Sequence, residues 1–198
     1  MSLDRRVPDA AVPLVGDGLV LSAFTDDDVP TLLTAFADPD IRGYNPGPAA
    51  AEGTVGVEEW FRNRNDWSSG GHASWAVRAP GGELLGSVSL FDVSDAQLLA
   101  EVGYWVVPAA RGRGVATRGV CCAVRYAFET LGLHRVYLHH AVENSASCRV
   151  AVAAGFLLEG TLRQSWRYGD GLFHDDHLHG RLASDVMPHI RSRASTAP

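Results

Sequence analysis

The sequence predicts a single α/β domain built on a mixed β-sheet, and three features support this class. The first half carries a meander of short apolar strands, where Pro80-Gly81-Gly82 marks a hairpin turn. In the second half, strands alternate with helices. The 198 residues, of which 46% are apolar and 20% charged, fit one domain. We place this domain at residues 17–188 and expect residues 1–16 and 189–198 to be flexible termini.

Local signals place the individual elements in order. Thr25 to Asp28 offers side-chain oxygens that cap a first helix, and Pro30 suits the first turn of that helix. A second helix is expected around Val55–Trp67, after a loop at Gly43–Pro48. The predicted strands are Gly18–Phe24, Ala73–Arg78, Leu84–Phe91, Glu101–Val107, His134–Val142, Phe156–Trp166 and Phe173–Leu182. A long helix with apolar residues at helical spacing follows Gly114 and ends before Gly132, and a short one covers Ser145–Ala154.

The composition excludes several classes of function. All 17 basic residues are arginine, so mechanisms that need a lysine Schiff base or a phosphate-loop lysine are excluded. A net charge of −6 argues against a nucleic-acid partner. Pro8 and Pro13 interrupt the N-terminal stretch, and no apolar run approaches the length of a membrane span. An odd number of cysteines (Cys121, Cys122 and Cys148) favours a reducing compartment, so we expect a cytoplasmic protein.

An arginine- and glycine-rich loop connects the strand that ends at Pro108 to the long helix. The glycines allow the backbone to curl, so that several N–H groups point into one concavity. The helix N-terminus adds free N–H groups and a partial positive charge of roughly half a unit. Arg111 and Arg113 can add full charges. This combination predicts a phosphate or pyrophosphate site. The spacing alone also fits a solvated loop before a helix.

Two other phosphate-binding motifs do not fit this loop. A P-loop requires a lysine, which the chain lacks. A dinucleotide fingerprint requires a third glycine where Thr117 stands.

Arg111-x-x-Gly114-x-Ala116 resembles the acetyl-CoA signature of the GNAT acetyltransferases, which reads Gln/Arg-x-x-Gly-x-Gly/Ala. The resemblance covers about residues 17–185 and points to the RimJ/RimL-like branch. It departs at Ala153 and Ala154, where relatives often carry Lys-Leu, and this departure affects the contact expected with the CoA 3′-phosphate. The further matching motifs are Glu101-Val102-Gly103-Tyr104-Trp105, Pro108, Arg125-Tyr126-Ala127-Phe128, His134-Arg135-Val136, Asn144-x-x-Ser147, Gly155-Phe156-x-x-Glu159-Gly160 and Leu162-Arg163.

This resemblance implies the GNAT fold, in which a twisted mixed sheet flanked by helices is split between strands 4 and 5. In the predicted order these strands are Glu101–Val107 and His134–Val142. The implied activity is transfer of an acetyl group from acetyl-CoA to a primary amine, by direct attack in a ternary complex. The acceptor is a protein or peptide N-terminus or a small amine, and a homodimer is common among relatives. Two alternatives stay open: a non-catalytic acyl-CoA sensor and an acyl-cysteine route.

The resemblance also assigns residues to the cofactor. Backbone near Val106 and Val107 would pair with the pantetheine arm, and an N–H group there would polarise the thioester carbonyl. Asn144 would hydrogen-bond the pantetheine, and Ser147 would lie near the sulfur as a weak proton donor, with solvent as the other proton source. From the sequence alone, Asn144 is also a good helix N-cap. The residues expected to hold the phosphates are Arg111, Gly112, Arg113, Gly114, Val115, Ala116 and Thr117.

Glu101 is the candidate base for the amine. Strand alternation puts Glu101 and Trp105 on one face, at the strand that borders the split. A carboxylate there can accept the amine proton directly or through a water. Glu159 and Asp175 are alternative bases.

Histidines near the C-terminus resemble a metal-binding pattern. The run from His174 to His179 would put His177 and His179 on one strand face, and His139-His140 adds two more imidazoles. No spaced cysteine pair or His-Glu-x-x-His pattern accompanies them. We therefore expect no metal and assign these histidines to the acceptor pocket or the surface.

Overall fold

The computed structural model describes residues 7–45 and 53–186, which form one mixed sheet with helices on both faces. The strands are β1 (Leu14–Gly16), β2 (Leu19–Ser22), β3 (Ala73–Arg78), β4 (Leu84–Ser94), β5 (Leu99–Val106), β6 (Arg135–Ala141), β7 (Leu157–Arg167) and β8 (Phe173–Leu182). The helices are α1 (Val29–Ala37), α2 (Pro39–Tyr44), α3 (Gly53–Asn65), α4 (Val115–Glu129) and α5 (Ser145–Ala153). The sheet order is β1-β2-β3-β4-β5-β6-β8-β7, in which β5 and β6 are parallel and the other neighbours are antiparallel.

The domain begins earlier in the chain than the sequence pattern predicted. Strand β1 pairs with β2, Val7 is buried, and the Trp75 indole N–H donates to the Val12 carbonyl at 2.8 Å. The expectation of a flexible segment at residues 1–16 is therefore wrong for residues 7–16, because they contribute backbone and side chains to the core. Residues 1–6 and 187–198, and with them the expected C-terminal segment 189–198, lie outside the described residues.

The first two helices start differently from the capping that the sequence predicted. The Thr25 N–H donates to the Asp28 carboxylate at 2.9 Å, which caps a short 3-10 turn, Asp26–Asp28, that leads into α1. Asp28 is the N-cap of α1 without a side-chain cap bond of its own, and Pro30 lies in the first turn of that helix. Where a loop was expected from Gly43, the chain forms the short helix α2, and residues 46–48 of that loop lie outside the described part. The Asp38 carboxylate caps α2 by accepting from the Ile41 N–H at 3.0 Å. The signal for this unexpected helix is Asp38-Pro39, a capping residue followed by a proline at the first helical position.

The long helix α4 matches its predicted pattern. It spans 15 residues, and Val120, Val124 and Ala127 are buried on one side. Gly132 follows it with φ +63°, the left-handed conformation that favours glycine after a helix end. Among the helices of the described ranges, none is long and apolar enough to cross a lipid bilayer.

Aromatic side chains define the two faces of the sheet. On one face, Trp105 packs against Phe36 of α1, with ring centroids 5.6 Å apart, and against Trp60 of α3. On the other face, Trp75 packs against Tyr126 of α4 at 5.3 Å. We call these the α1/α3 face and the α4 face. Glu101 lies on the α1/α3 face because it shares the alternation of Trp105.

A buried ion pair ties α1 to β3. The Arg78 guanidinium donates to both carboxylate oxygens of Asp28 at 2.6 Å, and the two side chains are 13% and 4% exposed. Arg78 also donates to the Ser22 hydroxyl and the Ala23 carbonyl. Breaking a buried pair leaves one charge without compensation.

We predict that Asp28→Asn lowers the free energy of unfolding by about 3 kcal/mol, because the guanidinium stays buried without its carboxylate. Urea denaturation measures this change. Glu58→Gln is the matched control: it removes the surface pair with Arg62, whose side chain is 61% exposed, and should cost no more than about 0.5 kcal/mol. Equal losses in the two variants would contradict the prediction.

Candidate active site

Strands β5 and β6 separate shortly after they pair. Their ladder covers Leu99–Glu101 against Arg135–Tyr137, and the rest of β5 leaves β6. On the other side, the Val107 N–H donates to the Leu85 carbonyl at 2.9 Å. Because antiparallel pairs alternate in hydrogen bonding, the backbone groups of Tyr104 and Val106 face the opening instead. The split predicted between these two strands is therefore present.

The expected role of Val107 needs correction. Its N–H is committed to β4, and its side chain is buried, so its backbone is not available to a pantetheine arm. Val106 presents its backbone to the opening, where its carbonyl accepts a hydrogen bond of 3.4 Å from the Arg111 guanidinium.

A cavity of about 960 Å³ lies between the split and the N-terminus of α4. Gly112 and Gly114 adopt φ +71° and +72°, as the predicted curled loop requires. The first intrahelical bond of α4 runs from the Arg118 N–H to the Gly114 carbonyl at 3.1 Å. The N–H groups of Val115, Ala116 and Thr117 precede it and lack intrahelical acceptors. Nine of the predicted cofactor residues line this cavity, namely Val106, Arg111, Gly112, Gly114, Val115, Ala116, Thr117, Asn144 and Ser147.

Arg111 and Arg113, the two arginines of this loop, differ in their contacts. Arg111 pairs with Asp38 at 2.5 Å and with Asp40 at 2.8 Å, so its guanidinium holds α2 against the loop. Arg113 is exposed and does not line the cavity. Arg149 of α5, which no sequence motif singled out, does line it. Of these three arginines, Arg149 is therefore the one that lines the cavity without an ion pair to Asp38 or Asp40.

A second, smaller cavity of about 380 Å³ meets the first. Five residues line both cavities and mark their junction, namely Tyr44, Asn45, Tyr104, Asn144 and Ser147. The Asn144 side-chain oxygen accepts from the Ser147 N–H at 3.1 Å, so Asn144 is the N-cap of α5. Burial raises the pKa of Tyr104 to about 12, against a smaller opposing effect of the neighbouring Ser147 hydroxyl.

A chain of hydrogen bonds reaches Glu101 at the wall of the smaller cavity. Glu101 Oε1 lies 3.1 Å from His139 Nε2, and His139 Nδ1 lies 2.8 Å from the buried Asp176 carboxylate. The Tyr168 hydroxyl donates to the other oxygen of Asp176 at 2.8 Å. The hydrogen bond to Glu101, with a contribution from Asp176, raises the pKa of His139 to about 9 although burial opposes the shift. His139 therefore carries a proton at neutral pH and holds two carboxylates.

The alternative bases lie elsewhere. Glu159 forms an ion pair with Arg135 and lines neither cavity. Asp175 is exposed, and its carboxylate accepts from the Gln164 N–H at 2.8 Å, where β7 bulges. Of the three carboxylates, Glu101 is the one that lines either of these two cavities.

Sequence reasoning missed the partners of Glu101. His139 and Asp176 are 37 residues apart and meet because β6 and β8 are neighbours in the sheet. The available signal was the spacing on β6. Tyr137 pairs with Glu101, and His139 is two positions further along the strand, so strand alternation places His139 on the α1/α3 face beside Glu101. That placement requires the register of two strand pairs, which the pattern of residues did not supply.

Residues 18–157 match a known family signature, described as an acetyltransferase (GNAT) domain. The chain belongs to the GNAT acetyltransferase family. This match confirms the resemblance and the fold that the motifs around Arg111 and Gly114 predicted. The cavity lined by these residues is thus part of a GNAT domain.

Similar proteins support the same family. YdaF of Bacillus subtilis (strain 168), whose name assigns it provisionally to the ribosomal N-acetyltransferases, is 38% identical over 94 residues, which are 48% of this chain and 51% of YdaF. The match therefore spans about half the length of that relative. The structure of Mycobacterium smegmatis RimJ, solved in complex with CoA-disulfide, has a TM-score of 0.76 at 23% identity. The alignment covers 89% of this GNAT chain and 88% of the RimJ chain. Spermidine N-acetyltransferase from Vibrio cholerae, solved with CoA and spermine, has a TM-score of 0.73 at 25% identity, with coverage of 85% and 98%.

We predict that Gly114→Ala weakens CoA binding about tenfold, because an alanine in the left-handed conformation costs about 1–2 kcal/mol. An added Cβ would meet no atom closer than 4.0 Å, so the effect arises from the backbone that shapes the loop. Isothermal titration calorimetry with CoA measures it. Gly81→Ala in the β3–β4 turn is the control, since its φ is not positive and its Cβ site is open. Unchanged affinity in Gly114→Ala would contradict the assignment of this loop to the cofactor.

Proposed function

We propose that this GNAT domain transfers an acetyl group from acetyl-CoA to a primary amine by direct attack in a ternary complex. The observation that carries the proposal is the junction of the two cavities at Tyr104, Asn144 and Ser147. Acetyl-CoA in the larger cavity would place its thioester at this junction. An amine could then approach the thioester from the smaller cavity. Glu101 borders the amine side.

The larger cavity suits a CoA molecule. The diphosphate would accept hydrogen bonds from the free N–H groups at the start of α4, where the helix dipole also favours a negative charge. Arg149 would supply a full positive charge, while Arg111 shapes the loop through Asp38 and Asp40. Pantetheine would run along the β5 edge, where Val106 offers its backbone groups.

Glu101 would act as the base. The amine nitrogen attacks the thioester carbonyl carbon, a C–N bond forms, and the C–S bond breaks as the tetrahedral intermediate collapses. The surplus proton on nitrogen passes to the Glu101 carboxylate, directly or through a water. His139 engages Oε1 of Glu101 at 3.1 Å and so fixes the position of that carboxylate.

The thiolate of CoA leaves beside two hydroxyl groups, those of Tyr104 and Ser147. A donor with a pKa of about 12 does not surrender its proton to a thiolate, whose conjugate acid has a pKa of about 8.5. We therefore assign Tyr104 and Ser147 to hydrogen bonding of the developing negative charge on sulfur. Solvent supplies the final proton.

The acceptor is a primary amine of a small molecule or of a peptide N-terminus. The smaller cavity, about 380 Å³, admits a narrow group, and two carboxylates, Asp92 and Glu101, line it. Carboxylates favour a cationic acceptor before it loses its proton. The relatives point to both kinds of acceptor, since YdaF is named for ribosomal N-acetylation and the Vibrio cholerae structure holds spermine.

We also propose a homodimer and a cytoplasmic location. Strand β7 is a sheet edge with exposed apolar side chains, among them Leu157 at 67% and Trp166 at 45%. An exposed apolar edge strand is suited to pair with a second copy. The described part of the chain holds three free cysteines, which suits a reducing compartment.

We predict that Glu101→Gln lowers kcat by about 10²-fold or more while the affinity for acetyl-CoA stays within about twofold, because a general base contributes about 10²–10⁴ in rate. Release of free CoA thiol, measured with basic N-terminal peptides and small polyamines, gives kcat, and calorimetry gives the affinity. Glu83→Gln, an exposed carboxamide substitution on the β3–β4 turn, is the matched control with unchanged kcat.

Two outcomes would contradict this account. Equal turnover of Glu101→Gln and the parent chain would remove Glu101 from the mechanism. Binding of acetyl-CoA without thiol release for any amine in the panel would instead favour the acyl-CoA sensor.

A further inference from the structure

The α4 face of the sheet carries a cluster of three histidines and a cysteine. His140, Cys148, His177 and His179 each offer one ligand atom, and these four atoms all lie within 4.8 Å of one another. His140 and His177 face each other across β6 and β8, and His179 is two positions further along β8. Cys148 comes from α5, which packs against β6, β7 and α4. The sequence-based expectation of no metal did not include this cysteine.

The cluster is separate from the proposed base. Glu101, His139 and Asp176 lie on the α1/α3 face, whereas His140 and His177 alternate to the opposite face. Metal ligation here would therefore leave the Glu101–His139 contact in place.

The hydrogen bonding of His140 prepares one nitrogen as a ligand. His140 Nδ1 lies 2.8 Å from the Ala141 carbonyl oxygen, which only accepts, so Nδ1 carries the proton. The Nε2 atom of His140 then has a free lone pair. Metal-binding histidines usually show this arrangement: one ring nitrogen donates its N–H to a carbonyl, and the other, unprotonated nitrogen binds the metal.

Among the described residues, the hydrogen bonding between His179 and His140 is incomplete in either protonation state of His179. Its Nε2 lies 3.3 Å from His140 Nε2, while its Nδ1 is buried and has no hydrogen-bond partner among the residues that the structure describes. A proton on Nε2 would leave Nδ1 as a bare acceptor, and a proton on Nδ1 would leave two lone pairs facing each other. His177 Nδ1 is likewise buried without a partner in this part of the chain. A metal ion between the two Nε2 atoms would accept both of the lone pairs that face each other when Nδ1 of His179 carries the proton.

We propose that these four side chains bind a divalent transition-metal ion, with zinc as the best match. Tetrahedral bonds of about 2.0–2.3 Å separate the donor atoms by about 3.3–3.6 Å. The two Nε2 atoms at 3.3 Å already meet this spacing. The other ligand atoms lie within 4.8 Å of one another, so metal binding would require the half-buried side chains of Cys148 and His177 to move closer. Three imidazoles and one thiolate are a donor set suited to zinc.

Binding is a ligand exchange that leaves all oxidation states unchanged. The Cys148 thiol loses its proton to solvent, the sulfur forms a bond to the metal, and each histidine gives one lone pair. Four protein ligands complete the coordination, so the ion is structural. It ties α5 to β6 and β8, and α5 carries Ser147 next to Cys148. The metal therefore holds one wall of the cavity junction.

Cobalt(II) titration of the untagged, reduced, full-length chain tests the proposal, because cobalt(II) replaces zinc and reports its ligands by absorption. We expect one equivalent to bind with visible bands of tetrahedral cobalt and a near-ultraviolet charge-transfer band from the Cys148 thiolate. Zinc(II) should displace the cobalt and raise the melting temperature of the protein.

Two variants identify the ligands without removing the fully buried His179. Cys148→Ser should abolish the charge-transfer band and weaken cobalt binding at least about 100-fold, and His177→Asn should weaken it to a similar extent. Cys122→Ala, which removes a thiol of α4 outside the cluster, should bind cobalt like the parent chain. Circular dichroism verifies that each variant is folded.

The proposal is overturned if the parent chain shows no cobalt bands at equimolar metal. It is also overturned if the charge-transfer band survives in Cys148→Ser, or if Cys122→Ala loses it. These results do not depend on acetyl transfer, so they leave the proposed function to its own test.

Discussion

The separation of β5 from β6 is the constraint on which the candidate site depends. A buried backbone N–H or carbonyl must find a partner, and parallel pairing stops at Glu101 and Tyr137. Beyond that point, the backbone of Tyr104 and Val106 faces the opening. The start of α4 adds further N–H groups at the same place. Unpaired donors from two elements thus converge on one cavity, which is a setting that binds an extended, anionic ligand.

Neighbouring contacts keep this opening in shape. Arg111 ties the loop before α4 to Asp38 and Asp40, so α2 forms part of the wall. On the far side, Asn144 caps α5 and positions Ser147 at the junction. The same helix carries Cys148, through which the proposed metal would fix it to the sheet. The cavity is therefore bounded by elements that are each held by charged or capping contacts.

Local patterns in the sequence predicted most of the strands and the position of the loop before α4. Alternating apolar residues indicated the strands from Ala73 to Leu182, and the Arg-Gly loop with its positive φ at Gly112 and Gly114 lies where it was expected. Contacts between residues far apart in the chain could not be predicted from these local patterns. Arg111, for example, pairs with Asp38, which is 73 positions away. His139 meets Asp176 only through the strand order β6-β8-β7, which no local signal specified. The register of a sheet decides such contacts, and one sequence does not reveal that register.

The most direct test of the proposed cofactor site compares CoA with pantetheine, which lacks the diphosphate and the nucleotide, by calorimetry under the same salt conditions. If the N–H groups at the start of α4 bind the diphosphate, CoA should bind at least about 100-fold more tightly, because two charge-assisted hydrogen bonds contribute about 3 kcal/mol or more. Equal affinity for the two ligands, or the absence of any heat with CoA, would contradict the assignment of the N–H groups at the start of α4 to the diphosphate.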